Sequence, residues 1–349
     1  MKKLFFLVVV PFLFCCNASE KKIASEAIKV TTEADTFTIV LGSCSDQDRP
    51  QPLWSPIIQQ DPDLFIWAGD NIYSDTDDLT KMEADYAKVW ANKEYQTLAA
   101  RTEITGTWDD HDYGKNDAGK EWAIKEGAQQ LFLDFLKVPA TDERRERRGV
   151  YNAQVFTTGA GTLKVISLDT RYFRDSLKTS KDPDRRYDAW EVGQGGTILG
   201  AEQWRWLEQE LSDATPDFTF IVSSIQFLSD QHGWEKWANH PSEVQKMYSV
   251  LQHAKANNIV ILSGDRHHAE ISRAPVPGLS YPLIDFTSSG MTHTWPGTPM
   301  EENRYRVFKG TKELNFGVLK IDFEKAEITF EIRGEDDVLY ERYVQSYNL

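Results

Sequence analysis

Cysteine is nearly absent from this chain. Of three cysteines, Cys15 and Cys16 close an apolar N-terminal stretch and Cys44 alone lies in the body. Once a leader is removed and Cys16 is capped, one thiol remains, which excludes a disulfide framework in the mature chain. A lone thiol in an oxidising compartment calls for burial or metal ligation. Positive charge is also short: 39 Lys and Arg against 54 Asp and Glu leave a net charge of −15. That balance excludes general binding to nucleic acid or anionic membranes through bulk electrostatics, and no specific nucleic-acid partner is expected. An anionic substrate is not excluded, because bound metal ions reverse the local field. The sequence has no Gly-x-Ser-x-Gly elbow, no complete Gly-x-x-x-x-Gly-Lys-Ser/Thr loop and no Rossmann glycine fingerprint. The serine-hydrolase, P-loop and dinucleotide-binding readings lose their usual signatures.

What is present begins with a leader. Met1-Lys2-Lys3 is a short basic region, and residues 4–14 form an apolar one too short to span a bilayer. It ends in Leu13-Phe14-Cys15-Cys16-Asn17. A cysteine directly after the apolar region resembles a bacterial lipoprotein signal, with Cys16 as the lipidated residue and Cys15 as the alternative. Residues 1–16 are therefore expected to be a signal peptide, 17–35 a flexible polar tether, and 36–349 the folded domain. The expected location is the periplasm or cell surface, lipid-anchored to a bacterial membrane, and the expected state is a monomer.

The body alternates between strand-like and helix-like segments. Residues 36–41, 64–68, 103–107, 163–168, 218–223 and 259–262 are short apolar or β-branched runs. Helical spacing is found over 79–101, 122–136, 202–211 and 242–257, the last opening on a Ser242-to-Gln245 capping box. Residues 150–156 and 163–168 read as a hairpin, 142–148 as a solvated loop, and 174–196 as a long polar loop. A run of strands over 282–287, 316–323, 326–333 and 338–345 finishes the chain. The pattern is one α/β domain.

Several of these strands end alike. Leu64-Phe65-Ile66-Trp67-Ala68 stops at Gly69 and presents Asp70 and Tyr73. Other strands end at Cys44, at Asp109 or Asp110 with His111, at Asp169 with Arg171, and at Asp265 with His267. Any one of these is also an ordinary polar turn. Their recurrence points to one cleft at the carboxyl edge of a sheet. Carboxylates that close cannot all stay ionised without compensating charge, and metal ions supply it most simply. Thiolate, phenolate and carboxylate together favour a transition metal, most simply ferric iron (Fe3+). Carboxylate, imidazole and amide oxygens suit a second, harder ion such as Ca2+, with Zn2+ or another divalent ion as the alternative. Asp70 is the candidate bridge between two ions about 3.5–4 Å apart, a spacing that lets a metal-bound hydroxide attack a polarised phosphoryl group. The competing chemistry is a thiol hydrolase using Cys44 with His111 or His267, which leaves the aspartates unexplained.

At these residues the chain resembles the alkaline phosphatase D (PhoD-like) branch of the calcineurin-like metallophosphoesterases. The resemblance rests on Gly42-Ser43-Cys44, Gly69-Asp70-Asn71-Ile72-Tyr73, Trp108-Asp109-Asp110-His111-Asp112, Leu168-Asp169-Thr170-Arg171 and Ser263-Gly264-Asp265-Arg266-His267, in the family's order. It implies a two-sheet αββα sandwich. It also implies that Cys44, Asp70, Tyr73 and Asp265 hold iron while Asp70, Asp110 and His267 face calcium. By the same resemblance His111 assists the leaving group or the phosphoryl oxygen, and Arg171 is the candidate phosphate clamp. Asn116 and Asp117 are candidates for a further calcium ligand. Where many relatives carry another metal-binding histidine, this chain has Ser224-Ile225-Gln226.

His232, His240 and His253 are assigned to packing, capping or solvent, and His268 to the side away from the cleft. Trp67 and Trp108, beside the ligands in sequence, are expected to wall the cleft against water. The resulting expectation is an exported metal-dependent phosphoesterase acting on phosphate mono- or diesters, phospholipid headgroups included. The alternative from a different class is a non-catalytic metal-binding surface lipoprotein.

Overall fold

Side chains alternate between the two faces of a strand, and here both faces are apolar. In strand Thr36–Gly42, Phe37, Ile39 and Leu41 enter one core and Val40 another; in Leu64–Ala68, Leu64, Ile66 and Ala68 share the first core and Phe65 and Trp67 the second. Strands buried on both faces need a layer on each side. The computed structural model, which describes residues 28–29 and 36–347, has those layers.

One sheet holds six strands in the order Leu339–Ser346, Glu327–Arg333, Phe316–Asp322, Thr36–Gly42, Leu64–Ala68, Glu103–Thr107, the last three parallel. The other holds eight, in the order Ile28–Lys29, Asn152–Thr157, Thr162–Ser167, Phe218–Val222, Ile259–Ser263, Leu283–Ser288, Ala269–Ala274, Arg306–Thr311. Its four central strands, Thr162–Ser167 through Leu283–Ser288, are parallel. Between the sheets lies a core that includes Ile39, Ile66, Val165, Phe220, Leu262 and Phe286. Each such buried side chain contributes about 1.5–3 kcal/mol. Helices Trp54–Gln59, Leu79–Ala91, Lys93–Ala99 and Lys125–Phe135 cover the outer face of the six-stranded sheet, and Gly200–Glu210 and Pro241–His253 that of the eight-stranded one. The architecture is the αββα sandwich that the motifs implied. Register then places the site: Gly42 pairs with Trp67 and Trp67 with Gly106, while Val222 pairs with Ser167 and Leu262, so the parallel strands of each sheet finish together.

Local departures have local causes. The helix expected over 79–101 breaks at Asn92, whose extended backbone and side chain, accepting from Glu94 and Tyr95 N–H, restart a second helix. The expected Ser242 capping box does not form: the helix starts at Pro241, a residue suited to its first position, and Ser242 Oγ accepts from Gly193 N–H instead. Arg144 is buried rather than solvated. Strands Ala269–Ala274 and Arg306–Thr311 were not expected from the sequence, the second being a polar edge strand. Within the segment expected as tether, Ile28–Lys29 pairs in parallel with Phe156 and Thr157. The leader, with Cys15 and Cys16, lies outside the described residues.

Candidate metal centre

The chain leaves its parallel strands through strained backbone. Cys44, Asp70, Asp265 and His267 all have left-handed φ, between 51° and 67°. Such a conformation costs a non-glycine residue about 1–3 kcal/mol and persists where surrounding packing enforces it. Glycines let the strand ends approach. A Cβ on Gly69 would lie 2.5 Å from Asp109 Cβ, and one on Gly264 2.5 Å from Ala68 O and Ser43 Oγ.

The result is a compact group of acids. One oxygen from each of Asp70, Asp109, Asp110 and Asp265 lies within 4.8 Å of the others, and Asp70 and Asp110 form a similar group with His111. Cys44 Sγ is 3.4 Å from Asp70 Oδ2, and Tyr73 OH donates to the same oxygen at 3.3 Å. Of the expected iron-side set, Cys44 and Tyr73 thus converge on Asp70, and Asp265 joins through the carboxylate group. Of the expected calcium-side set, Asp70 and Asp110 come together, while His267 stands on the cavity wall, outside the compact carboxylate group, with Nδ1 3.4 Å from His293 O. Asn116 Nδ2 and Asp117 N–H both donate to Asp110 Oδ2, at 3.0 and 2.6 Å, so this loop positions Asp110.

Electrostatics show the crowding. Burial, followed by the Asp110 charge, pushes Asp70 well above the carboxylate range; burial likewise raises Asp265, to about 7. Burial and then Asp70 push the Cys44 thiol and the Tyr73 phenol well above their ordinary values. Burial also raises Asp110, but His111 and Arg171 outweigh it and hold Asp110 low. Burial opposes protonation of His111, yet Asp110, Asp70 and Asp75 outweigh it and raise the imidazole to about 11. Asp109 Oδ2 and Asp110 Oδ1 are buried without a hydrogen-bond partner. Orphaned carboxylate oxygens beside a thiol and a phenol are a donor set that fits bound metal ions.

Arg171 occupies a different place from the one expected. It is fully buried and does not line the cavity, so a phosphate clamp is not where its guanidinium lies. Its Nε donates to Asp109 Oδ1 and one terminal nitrogen to Glu235 Oε2 at 2.7 Å, while Arg174 Nε lies 3.0 Å from the other Glu235 oxygen. Ser224 Oγ donates to the same Asp109 oxygen at 2.7 Å. Trp67 and Trp108 also lie elsewhere: Trp67 packs among Trp54, Phe65 and Tyr95, and Trp108 against Tyr113 and Phe132, in the core beneath the helices. Alternation along the strand turned Trp67 away from the cleft.

A cavity of about 630 Å³ opens over the acids. His111 lines it, with Nδ1 held 2.8 Å from Asp75 and its ring 4.1 Å from that of Tyr73. A second groove of similar size, about 640 Å³, lies by residues 99–103 at the opposite ends of the strands and contains none of these ligands. Sequence reasoning missed His293, Arg266, Arg186, Glu235 and Lys312 on the cavity wall. For His293 the signal was there. Strand Leu283–Ser288 ends in Ser289-Gly290-Met291-Thr292-His293, another apolar run closed by small residues and a ligand-type side chain.

An αββα sandwich with carboxylates gathered at its strand ends is the architecture of the calcineurin-like fold. The comparisons then name the family. The PhoD-like phosphatase profile matches residues 39–329, and the chain belongs to that family. Alkaline phosphatase D of Bacillus subtilis (strain 168) is 24% identical over 180 residues, an alignment spanning 46% of this chain and 30% of that protein's length. The solved structure of PhoD aligns with a TM-score of 0.69 at 17% identity, over 90% of this chain and 69% of that one. A dimetal phosphatase from Danio rerio aligns with a TM-score of 0.54 at 13% identity, over 89% of this chain and 99% of that one.

Proposed function

We propose that this chain is an exported, metal-dependent phosphoesterase that hydrolyses phosphate mono- or diesters. The observation that carries the reading is the convergence of Cys44, Tyr73, Asp110 and Asp265 on Asp70 beneath one cavity, with oxygens of Asp109 and Asp110 left unpartnered. Cys44, Asp70, Tyr73 and Asp265 are the residues to hold iron, with Asp70, Asp110 and His267 toward calcium. When bound, the ions supply positive charge that polarises a phosphoryl oxygen and acidifies the attacking water. The protein's own groups do the rest. Asp75 fixes the His111 ring through Nδ1, leaving Nε2 to donate to the leaving oxygen. Arg171 holds Asp109 and Glu235 in place. The thiol-hydrolase alternative is disfavoured, because Cys44 is fully buried and its thiol is pushed away from the reactive thiolate. Export and lipid anchoring rest on the leader sequence. Among the described residues no helix is long and apolar enough to cross a membrane.

The test is hydrolysis of mono- and bis-nitrophenyl phosphate with Asp70→Asn alongside, together with metal analysis of the purified protein. Hydrolysis that Asp70→Asn abolishes together with bound metal supports the reading. Metal binding without hydrolysis in a folded sample favours the binding lipoprotein. Activity lost on alkylation but indifferent to chelator favours the thiol.

A further inference from the structure

Eleven tryptophans occur in this chain, and Trp234 and Trp295 alone are exposed, at 45% and 59%. Both line the cavity above the acids. Large uncovered indoles on a cavity wall mark a contact surface rather than scattered surface apolarity. Neither ring is unsupported. Trp295 meets His267 edge-on, with 5.9 Å between ring centroids, and the Arg266 guanidinium lies 5.5 Å from the Trp234 ring.

The charges on the same wall are mostly matched. Arg266 pairs with Asp265 and Glu301, Arg186 with Asp117, and Arg49 with Asp46. Lys312 differs. Its half-buried side chain lines the cavity and its Nζ donates to Thr298 Oγ1 at 2.6 Å, and among the described residues no carboxylate lies within salt-bridge distance of it. The wall therefore offers two flat aromatic surfaces and one cation outside any ion pair, with Glu301 acting on it only at longer range, in a space far larger than a phosphoryl group fills.

We propose that Trp234, Trp295 and Lys312 form an outer subsite for phosphoesters whose alcohol carries a flat ring and a further anionic group, the chemistry of a nucleotide. The proposal rests on the phosphoesterase reading and refines its substrate. Ring faces accept any base by stacking, and the ammonium takes the second anion. A quaternary-ammonium headgroup would also favour the indoles, but it would place its charge against Lys312.

The experiment uses the full metal-loaded protein and compares kcat/KM for glycerol 2-phosphate, phosphocholine, adenosine 5′-monophosphate and adenosine 3′,5′-bisphosphate. The expected order is bisphosphate above monophosphate above glycerol 2-phosphate, by roughly tenfold per step, with phosphocholine no better than glycerol 2-phosphate. Trp295→Ala should lower the ratio of adenosine monophosphate to glycerol 2-phosphate by roughly tenfold, and Trp295→Phe should restore it. Lys312→Gln should erase the advantage of the bisphosphate. Equal rates on ring-bearing and ring-free esters, a preference for phosphocholine, or an unchanged ratio in Trp295→Ala would overturn the subsite. If no ester is hydrolysed, the phosphoesterase reading fails and titration calorimetry with the bisphosphate decides the subsite. Binding weakened by Trp295→Ala then supports it, and no binding refutes it.

Discussion

Two groups of buried acids meet at this sheet edge with opposite electrostatics. Asp109 and Glu235 face Arg171 and Arg174, and the arginines overcome burial to hold Glu235 below its ordinary value. Asp70 and Asp265 lie beside them, next to a thiol and a phenol; burial pushes both upward, and Arg266 beside Asp265 only partly offsets it. Asp109 joins the groups: one oxygen rests on Arg171, the other is unpartnered, and burial outweighs the arginine and raises the carboxyl to about 8, as it raises Asp70 and Asp265. The difference teaches how to sort buried charge. Glu235, whose charge the arginines offset, holds segments of the fold together; Asp70, Asp265 and the unpartnered oxygens of Asp109 and Asp110 mark where a cation from outside belongs.

The largest effect should come from the unmatched group. Asp70→Asn is expected to lower kcat/KM by roughly 10³-fold or more, with loss of bound metal by elemental analysis. The same substitution removes a repelling charge, so the chelated variant should unfold later in denaturant, by roughly 0.5–2 kcal/mol. Arg171→Met should act with the opposite sign, destabilising the chelated protein by about 3–5 kcal/mol, because Asp109 and Glu235 lose their shared partner. A stable Arg171→Met whose only defect is a raised KM would restore the phosphate-clamp role. Next in size is His111→Gln, expected to reduce kcat about 100-fold with metal content retained; loss of metal instead would move His111 into the ligand set. Smallest is an exposed pair. Lys88 and Asp48 lie 2.8 Å apart with both side chains about half exposed, and Asp48→Asn should change stability by less than about 1 kcal/mol.

What could be read from the sequence follows the same division. An apolar run ended by glycine and a ligand-type residue is a local signal, and it located Cys44, Asp70 and Asp265 at strand ends. The two-sheet sandwich was implied only by the family resemblance that the ordered motifs carry, since periodicity alone gave alternating strands and helices. Direction was harder. Asp109 and Asp110 are neighbours, and no spacing rule tells which oxygen faces Arg171 and which stays free. Arg171 looked available because its partner Glu235 lies 64 residues away in sequence. Trp67 and Trp108 were close to the ligands in sequence but on the opposite face of the sheet, while Trp234 and Trp295 reach the cavity from irregular loops that periodicity cannot place. Asn92 restarted a helix through its side chain, a capping effect hidden inside continuous helical spacing.

On this reading the acids around Asp70 hold metal for phosphoester hydrolysis. The most direct test is the rate of bis-nitrophenyl phosphate hydrolysis by one preparation as purified, after exhaustive chelation, and after iron and calcium are returned. Activity that disappears on chelation and returns with the ions is the predicted result. Activity that survives chelation, with metal analysis confirming that none remains, would contradict the account.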